Sequence, residues 1–296
     1  MAVVSERPSR PRTARSYYWM VLPALVLFFL FHTVPVLQGI YYSLTDYTGY
    51  GAYKFIGLKN YLNLFQDEKV WHSYVFTFQF ALVSTVLANV IALAIALGLN
   101  ARIKFRTAIR GVFFVPNILA ILIVGYIFNY LFSNSLPYLG KQLGVDWLAG
   151  SVLADPDHAW LGIVVVAVWQ AVAFNVIIYL TGLQTIPAEL YEAATVDGAG
   201  PWQRFRAITL PLIAPFLTIN MVLSLKNFLQ VFDQIVALTG GGPGTSTQSV
   251  SFLIYTNGFQ GGEYAYQTAN AVVYFAVIVL VSIVQLRILQ RREVSN

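Results

Sequence analysis

Six long runs of apolar residues divide this chain, and they constrain its fold more than any other feature. A helix needs about 20 residues to cross a hydrocarbon layer of roughly 30 Å, and each run is long enough. Only 10% of the residues are charged, far fewer than the surface of a soluble domain requires. We therefore predict an all-α polytopic membrane protein with about six transmembrane helices. The runs lie near 18–40, 73–99, 111–132, 160–183, 213–238 and 267–287.

The placement of the basic residues predicts an orientation. The chain carries 18 Lys and Arg against 13 Asp and Glu, a net charge of +5. Most of the basic residues fall in the N-terminal tail, in the loops after the second and fourth runs, and at the C-terminus. By the positive-inside rule, these segments and both termini are cytoplasmic, so the basic excess does not indicate nucleic-acid binding. The residues are Arg7, Arg10, Arg12, Arg15, Arg102, Lys104, Arg106, Arg110, Arg204, Arg206, Arg287, Arg291 and Arg292.

Several classes of enzyme site are missing from the sequence. There is no cysteine and there are three scattered histidines, so we predict no metal site. No GxxxxGK[ST] segment occurs, and GxSxG and HExxH are also absent. We therefore predict that this chain is not an enzyme and that it binds no cofactor of its own.

Polar residues interrupt the fifth run. If 213–238 is one helix, Lys226, Gln230 and Asp233 share a stripe at 100° per residue, with Gln234 beside it and Asn227 at its margin. A lysine inside a span costs roughly 3 kcal/mol on insertion scales, so the stripe should face protein or water. These residues either line a substrate pathway or join helices through a Lys226–Asp233 salt bridge, and the sequence leaves both interpretations open.

The fourth run mixes aromatic rings with amides. Gln170 and Asn175 are secondary candidates for the pathway, near Trp169, Phe174 and Tyr179. Aromatic faces and amides suit sugar rings, which stack through C–H groups and hydrogen-bond through hydroxyls. Simple packing is the commoner role of an aromatic residue in a span, and it remains the leading explanation for these three rings.

A compact polar segment, EAATVDGAGPWQRFRAITLP, joins the fourth and fifth runs. The pattern predicts a short helix over 187–197, ended by Gly198 in the left-handed conformation. A second short helix follows, with Trp202 and Phe205 on one face. The two rings form an apolar anchor of the kind that fills a pocket on a partner. A hairpin that packs on the spans of this chain is the alternative.

At this segment the chain resembles the permease subunits of binding-protein-dependent ABC importers. Their EAA loop reads E-A-A, D-G-A, a downstream Phe and a closing L-P…P. The resemblance implies that the loop, together with Trp202, forms coupling helices that dock on a separate ATP-binding cassette subunit, so that ATP and Mg belong to partner subunits. The matching residues are Glu192, Ala193, Ala194, Asp197, Gly198, Ala199, Phe205, Leu210, Pro211 and Pro215.

Two outer segments narrow the resemblance to the carbohydrate branch. Residues 238–259 and 55–71 are similar to segments of sugar permeases of the maltose and glycerol-3-phosphate type. By this resemblance Gly241, Gly242 and Pro243 shape an outer loop near a docked solute-binding protein, although a simple turn would use the same residues. The implied function is a permease that forms, with a second permease, the pathway for a sugar, a polyol or a sugar phosphate.

The resemblance also implies the partners and the organisation of the chain. The partners are a second homologous permease, two ATP-binding cassette subunits and an extracytoplasmic solute-binding protein, assembled in the inner membrane of a bacterium. Two alternatives stay open: an ion-driven transporter with Lys226 and Asp233 as a proton relay, and a membrane-embedded enzyme. We predict a disordered basic cytoplasmic tail at 1–16, a first transmembrane helix and outer loop at 17–72, the permease domain at 73–288 with its EAA loop at 187–211, and a cytoplasmic tail at 289–296.

Overall fold

The computed structural model describes residues 13–101 and 106–290, and this part of the chain is almost entirely helical. Parts of both predicted tails, and several of the basic residues that set the predicted orientation, lie outside these ranges. The helices are α1 (Thr13–Phe28), α2 (Val34–Tyr42), α3 (Lys59–Leu64), α4 (Glu68–Asn100), α5 (Arg106–Ile118), α6 (Ile121–Tyr130), α7 (Leu136–Leu143), α8 (Ala159–Gln184), α9 (Ala188–Val196), α10 (Pro201–Arg204), α11 (Leu210–Leu212), α12 (Ala214–Leu229), α13 (Asp233–Leu238), α14 (Val250–Tyr255) and α15 (Tyr264–Gln290).

The number of spans agrees with the prediction. Four helices in the described ranges are long and apolar enough to cross a bilayer: Tyr18–Tyr42, α4, α8 and α15. Two further pairs are bent, Gly111–Ile118 with Ile121–Leu143 by 96° and Pro201–Leu212 with Ala214–Leu229 by 68°. Counting each bent pair as one span gives six. The all-α polytopic fold class is therefore confirmed.

The core of the bundle is the packing of α8 and α12 against α4. The face of α4 that packs is built from small side chains, and Ala81, Ala88, Ala92 and Ala96 are fully buried. They recur at intervals of seven and four residues, which places them on one side of a helix. Small residues let helix backbones approach closely within a membrane. The sequence of α4 thus explains why α8 and α12 pack tightly against it.

The first span differs from the others because it is not part of this core. None of the most apolar stretch of Tyr18–Tyr42 is buried inside the chain. Its main contact with the other long helices is made by α2, which packs against α15. The rest of its apolar surface is therefore available to lipid or to another membrane protein.

The third predicted span, 111–132, is not one straight helix. After α5 the chain turns at Leu119, and Ala120 takes an extended backbone conformation with φ −61° and ψ 129°. The following α6 packs against α13, where a Cβ added to Gly125 would lie 2.4 Å from the Cβ of Ala237. Glycine at this position allows the two short helices to touch.

The fifth predicted span, 213–238, is also broken, and the prediction of one continuous helix is wrong. Helix α12 ends at Leu229 and α13 follows after a gap of three residues. Side chains from later in the sequence satisfy the carbonyl groups that the break releases. Tyr274 Oη donates to the Leu229 carbonyl, and Ser249 Oγ donates to the Val231 carbonyl at 2.8 Å. Irregular backbone at membrane depth is tolerated only with such partners, which explains why the break is possible.

Candidate functional site

A polar cleft of 590 Å³ lies where the two helix breaks meet α8. One wall comes from the turn between α5 and α6, a second from the middle of α8, and a third from the end of α12 and the start of α13. The volume is within the range of small-molecule sites, about 300–1,000 Å³. The polar lining consists of amides, one hydroxyl and one carboxylate: Asn117, Gln170, Asn175, Ser224, Asn227, Gln230, Asp233 and Gln234.

The structure brings together all but one of the predicted pathway residues. Six of them line the cleft: Gln170, Asn175, Asn227, Gln230, Asp233 and Gln234. The exception is Lys226, which is exposed on α12 and does not line it. The described residues that line the cleft include no Lys, Arg or His. The cleft therefore offers hydrogen bonds and one negative charge, without a cation to neutralise an anion.

Hydrogen bonds between α8 and α12 hold the inner end of the cleft. Asn175 Nδ2 donates to Ser224 Oγ at 2.9 Å, and Asn220 Nδ2 donates to the Asn175 carbonyl at 3.1 Å. Gln170 is buried, and its Oε1 has no hydrogen-bond partner among the described residues. Asn175 is thus fixed by its neighbours, whereas the Gln170 side-chain oxygen is buried without a partner among the described residues.

The predicted salt bridge between Lys226 and Asp233 is not formed. The break after α12 interrupts the helical phase, so the two side chains do not share a stripe. The ion pair found in the described ranges is between His158 and Asp155, at 2.7 Å. The hydrogen bond from His158 holds the pKa of Asp155 below its usual value. A proton relay needs contact between its groups, so the ion-driven alternative loses its structural basis.

Packing explains two of the three aromatic residues noted in the fourth span. Trp169 packs against Phe128 with ring centroids 5.4 Å apart. Tyr179 is buried and donates to Asn89 Oδ1 at 2.7 Å. Phe174 alone of the three lines the cleft.

The lining residues that sequence reasoning missed include Asn117, Ser224 and Phe232. Asn117 follows Pro116 inside an apolar run, and an amide after a helix-breaking residue was a signal that could have been used. Ser224 and Phe232 have no comparable signal. Phe232 reaches the cleft because of the break in the fifth span, which its own sequence does not reveal, whereas Ser224 lies on α12 before the break.

The polar segment after α8 forms a hairpin, and its predicted glycine corner is confirmed. Gly198 has φ +76° and ends α9 in the left-handed conformation. The Ala199 amide donates to the Ala194 carbonyl at 2.8 Å, and the Gly198 amide donates to the Thr195 carbonyl at 3.1 Å. This pair of bonds is the Schellman pattern that satisfies the last carbonyls of a helix. The corner therefore has a defined shape of its own.

Two contacts join the arms of the hairpin. The hydroxyl groups of Tyr191 and Thr209 lie 2.8 Å apart, and Arg204 Nη1 donates to Thr195 Oγ1 at 3.0 Å. On the second arm Trp202 is 69% exposed, and its ring stacks on the half-buried ring of Phe205 with centroids 5.4 Å apart. The hairpin thus presents an aromatic surface that no described part of the chain covers. The remaining residues of the EAA pattern lie close to the same corner: Glu192, Ala193 and Asp197 are exposed, and Ala194 and Ala199 are half-buried.

The glycine-rich segment that was predicted to lie on the outer side is an internally bonded loop. Gly241 has φ +85°, and a Cβ added there would lie 2.6 Å from the ring of Phe252. Thr247 is buried and its hydroxyl donates to the Gly242 carbonyl at 2.7 Å. Pro243, the third predicted residue of this loop, is half-buried. The loop is therefore held in one shape by its own contacts.

Residues 88–294 match the family described as binding-protein-dependent transport system inner membrane component. The chain belongs to this family. The resemblance to ABC importer permeases noted at the EAA segment is thereby confirmed, and the chain is a multi-pass transport subunit rather than an enzyme.

Named relatives of this permease match it over nearly its whole length. It is 36% identical over 280 residues to a probable starch degradation products transport system permease of Thermoanaerobacterium thermosulfurigenes, covering 94% of this chain and 96% of the relative. It is 38% identical over 288 residues to a multiple sugar-binding transport system permease of Streptococcus mutans, covering 96% and 99%. A trehalose/maltose transport system permease of Thermococcus litoralis is 36% identical over 285 residues, covering 94% of each.

Solved structures share the fold of this permease. A bacterial ABC transporter that imports the acidic polysaccharide alginate matches with a TM-score of 0.83 and 24% identity, covering 95% of this chain and 96% of the other. The same kind of transporter in complex with an alginate pentasaccharide-bound periplasmic protein matches with a TM-score of 0.84 and 24% identity, covering 96% and 97%.

Proposed function

We propose that this permease forms, with a second homologous permease, the membrane pathway of an ATP-driven importer for a sugar or a related polyol or sugar phosphate. The observation that carries the proposal is the amide-lined cleft at the junction of two broken helices. In transporters, substrate sites near the middle of the membrane are typically built from such interrupted helices. The relatives named for starch products, multiple sugars and trehalose or maltose support a carbohydrate substrate.

The chemistry of the cleft suits a neutral sugar best. An amide both donates and accepts hydrogen bonds, as a sugar hydroxyl does, and amides line all three walls. Phe174 and Phe232 add aromatic surface on which the C–H face of a sugar can stack. A phosphate would lack a cation on this side of the pathway and would depend on the second permease for one.

The connection of the hairpin to the cleft provides a mechanism. The second arm of the hairpin leads directly into α12, and the far end of α12 forms one wall of the cleft. A partner that grips Trp202 and Phe205 would therefore move that wall. In the proposed cycle, ATP and Mg are held by two cassette subunits, their closure shifts the hairpin, and the cleft opens outward to accept the sugar. Hydrolysis returns it to the inward-facing state.

The exposed first span supports the presence of a second permease. Its apolar stretch is not buried within this chain, so a neighbouring permease could cover it. We further propose that the hairpin and both termini face the cytoplasm, as the distribution of basic residues predicts. The loop at Gly241, Gly242 and Pro243 would then lie on the outer side, near a docked solute-binding protein, in the inner membrane of a bacterium.

Proteoliposomes that hold the complete importer test this function. Uptake of radiolabelled maltose, trehalose and glycerol-3-phosphate would be measured with ATP inside and the co-encoded binding protein outside. We expect uptake of at least one of the neutral sugars that requires both additions and persists with an uncoupler. Uptake that collapses with the uncoupler and ignores ATP would contradict the proposal. Gln170→Ala, in the lining of the cleft, should lower uptake. Val165→Ala, on the exposed face of α8 and outside the cleft, is its control.

A further inference from the structure

Lys226 is an unpaired charge inside a membrane-spanning helix. It lies twelve residues beyond Ala214, the first residue of α12, which is about 18 Å along the helix axis at 1.5 Å per residue. This depth falls within a hydrocarbon layer of roughly 30 Å. The side chain is exposed on the surface of the described chain, and no salt bridge or hydrogen bond joins it to another described residue. A charge in this position needs a partner beyond the residues that the structure describes.

Lipid is a poor neighbour for this part of α12. A lysine near the middle of a span is strongly disfavoured unless it pairs with another group or reaches water. Asn227 and Gln230 are exposed beside it, and both also line the cleft. The exposed polar strip Lys226, Asn227 and Gln230 is thus continuous with the rim of the cleft. A strip of this kind belongs against protein or a hydrated pathway.

The charge of the strip indicates what should face it. Asp233 is the acidic residue of the cleft, but it does not pair with Lys226. The local charge on the outer surface of α12 is therefore one uncompensated positive group. Its natural complement is a carboxylate on a neighbouring membrane helix, because a charged pair with good geometry removes the cost of burying either group alone.

We propose that Lys226 forms an ion pair with an Asp or Glu side chain in a membrane-spanning helix of the second permease, and that this pair seals the rim of the cleft. The inference rests on the proposed function, since it requires a second permease. It adds a specific contact to that function: one electrostatic link that sets how the two permeases face each other. Such a link would give register and partner choice, which are the best-supported uses of buried charges.

Charge reversal tests the contact. The complete importer is expressed with a tag on this chain, and co-purification of the second permease is measured for Lys226→Glu, Lys226→Gln and Lys226→Arg. We expect Lys226→Glu to reduce co-purification at least tenfold, Lys226→Gln to reduce it less, and Lys226→Arg to retain it. Lys141→Glu makes the same charge change on an exposed lysine of α7 and should have no effect.

A second-site rescue separates loss of the pair from misfolding. Each Asp and Glu in the spans of the second permease is changed to Lys, one at a time, in the Lys226→Glu background. One of these changes should restore assembly and uptake together. If no such change restores assembly, or if the Lys226→Glu importer assembles normally, the ion pair is refuted. Normal assembly with reduced uptake would place Lys226 in the hydrated pathway instead. If the wild-type chain fails to co-purify with the second permease, the proposed function itself fails.

Discussion

Gly198 is a position where one added methyl group should disturb the hairpin through backbone strain alone. Its φ of +76° lies in the left-handed region, where an L side chain costs roughly 1–2 kcal/mol. A Cβ added there meets nothing within 4 Å, so the cost is backbone strain without crowding. Gly198→Ala should therefore destabilise the corner of the hairpin by about 1–2 kcal/mol, which corresponds to roughly 5- to 30-fold more frequent opening. Gly198→Val, with a β-branched side chain, should abolish uptake while the chain stays inserted.

Gly200 is the matched control, two residues away. It has φ −71° and ψ 167°, which any residue can adopt, and the nearest atom to an added Cβ is Gln203 Oε1 at 3.8 Å. Gly→Ala at a compatible position stabilises a protein by about 0.4–1 kcal/mol, because it restricts the unfolded chain. The two substitutions should thus have opposite signs.

Hydrogen–deuterium exchange of the 188–200 segment measures this difference. The segment should exchange roughly 5- to 30-fold faster in Gly198→Ala and no faster in Gly200→Ala. Equal exchange in the two variants would refute the strain argument. The coupling role has its own readout in the assembled importer: sugar-stimulated ATPase activity that survived Gly198→Val would remove the hairpin from the coupling mechanism.

Three further outcomes are expected. Gly125→Ala should lower the stability of the purified chain by about 1–3 kcal/mol, because the added Cβ meets the Cβ of Ala237. Adding Ala237→Gly should recover most of this loss in a thermal unfolding assay. A double variant no more stable than Gly125→Ala would contradict the packing argument. Tyr274→Phe should cost about 1–3 kcal/mol in the same assay because it leaves the Leu229 carbonyl without its donor, and unchanged stability would show that the break does not need this bond. Asp233→Leu should raise the KM for sugar uptake roughly 10- to 100-fold, since a hydrogen bond to a charged group contributes about 1.5–3 kcal/mol. An unchanged KM would place Asp233 outside the pathway.

Some features of the candidate site could be predicted from the sequence and others could not, and particular residues show why. Gly198 was predictable because its conformation depends on a few neighbouring residues and on the absence of a Cβ. Six residues of the cleft lining were predictable as polar groups in apolar surroundings. The predicted pairing of Lys226 with Asp233 was wrong, because it assumed that the helical phase continues through Gln230. That assumption is reasonable for an isolated helix and fails when outside groups stabilise a break.

The sequence by itself determined that this chain is a multi-pass helical membrane protein with a polar hairpin between its fourth and fifth spans. Span length, the energetic cost of charge in hydrocarbon and local backbone preferences are properties of short segments, so they can be read without a fold. Only the tertiary structure decided where the helices break and what the breaks assemble. The partners of the broken backbone, Tyr274 for Leu229 and Ser249 for Val231, are 45 and 18 residues away along the chain. Hydrogen bonds between such distant segments leave no periodic pattern in the sequence of either segment. These bonds stabilise the break in the fifth span, and the broken backbone forms one wall of the cleft beside α8.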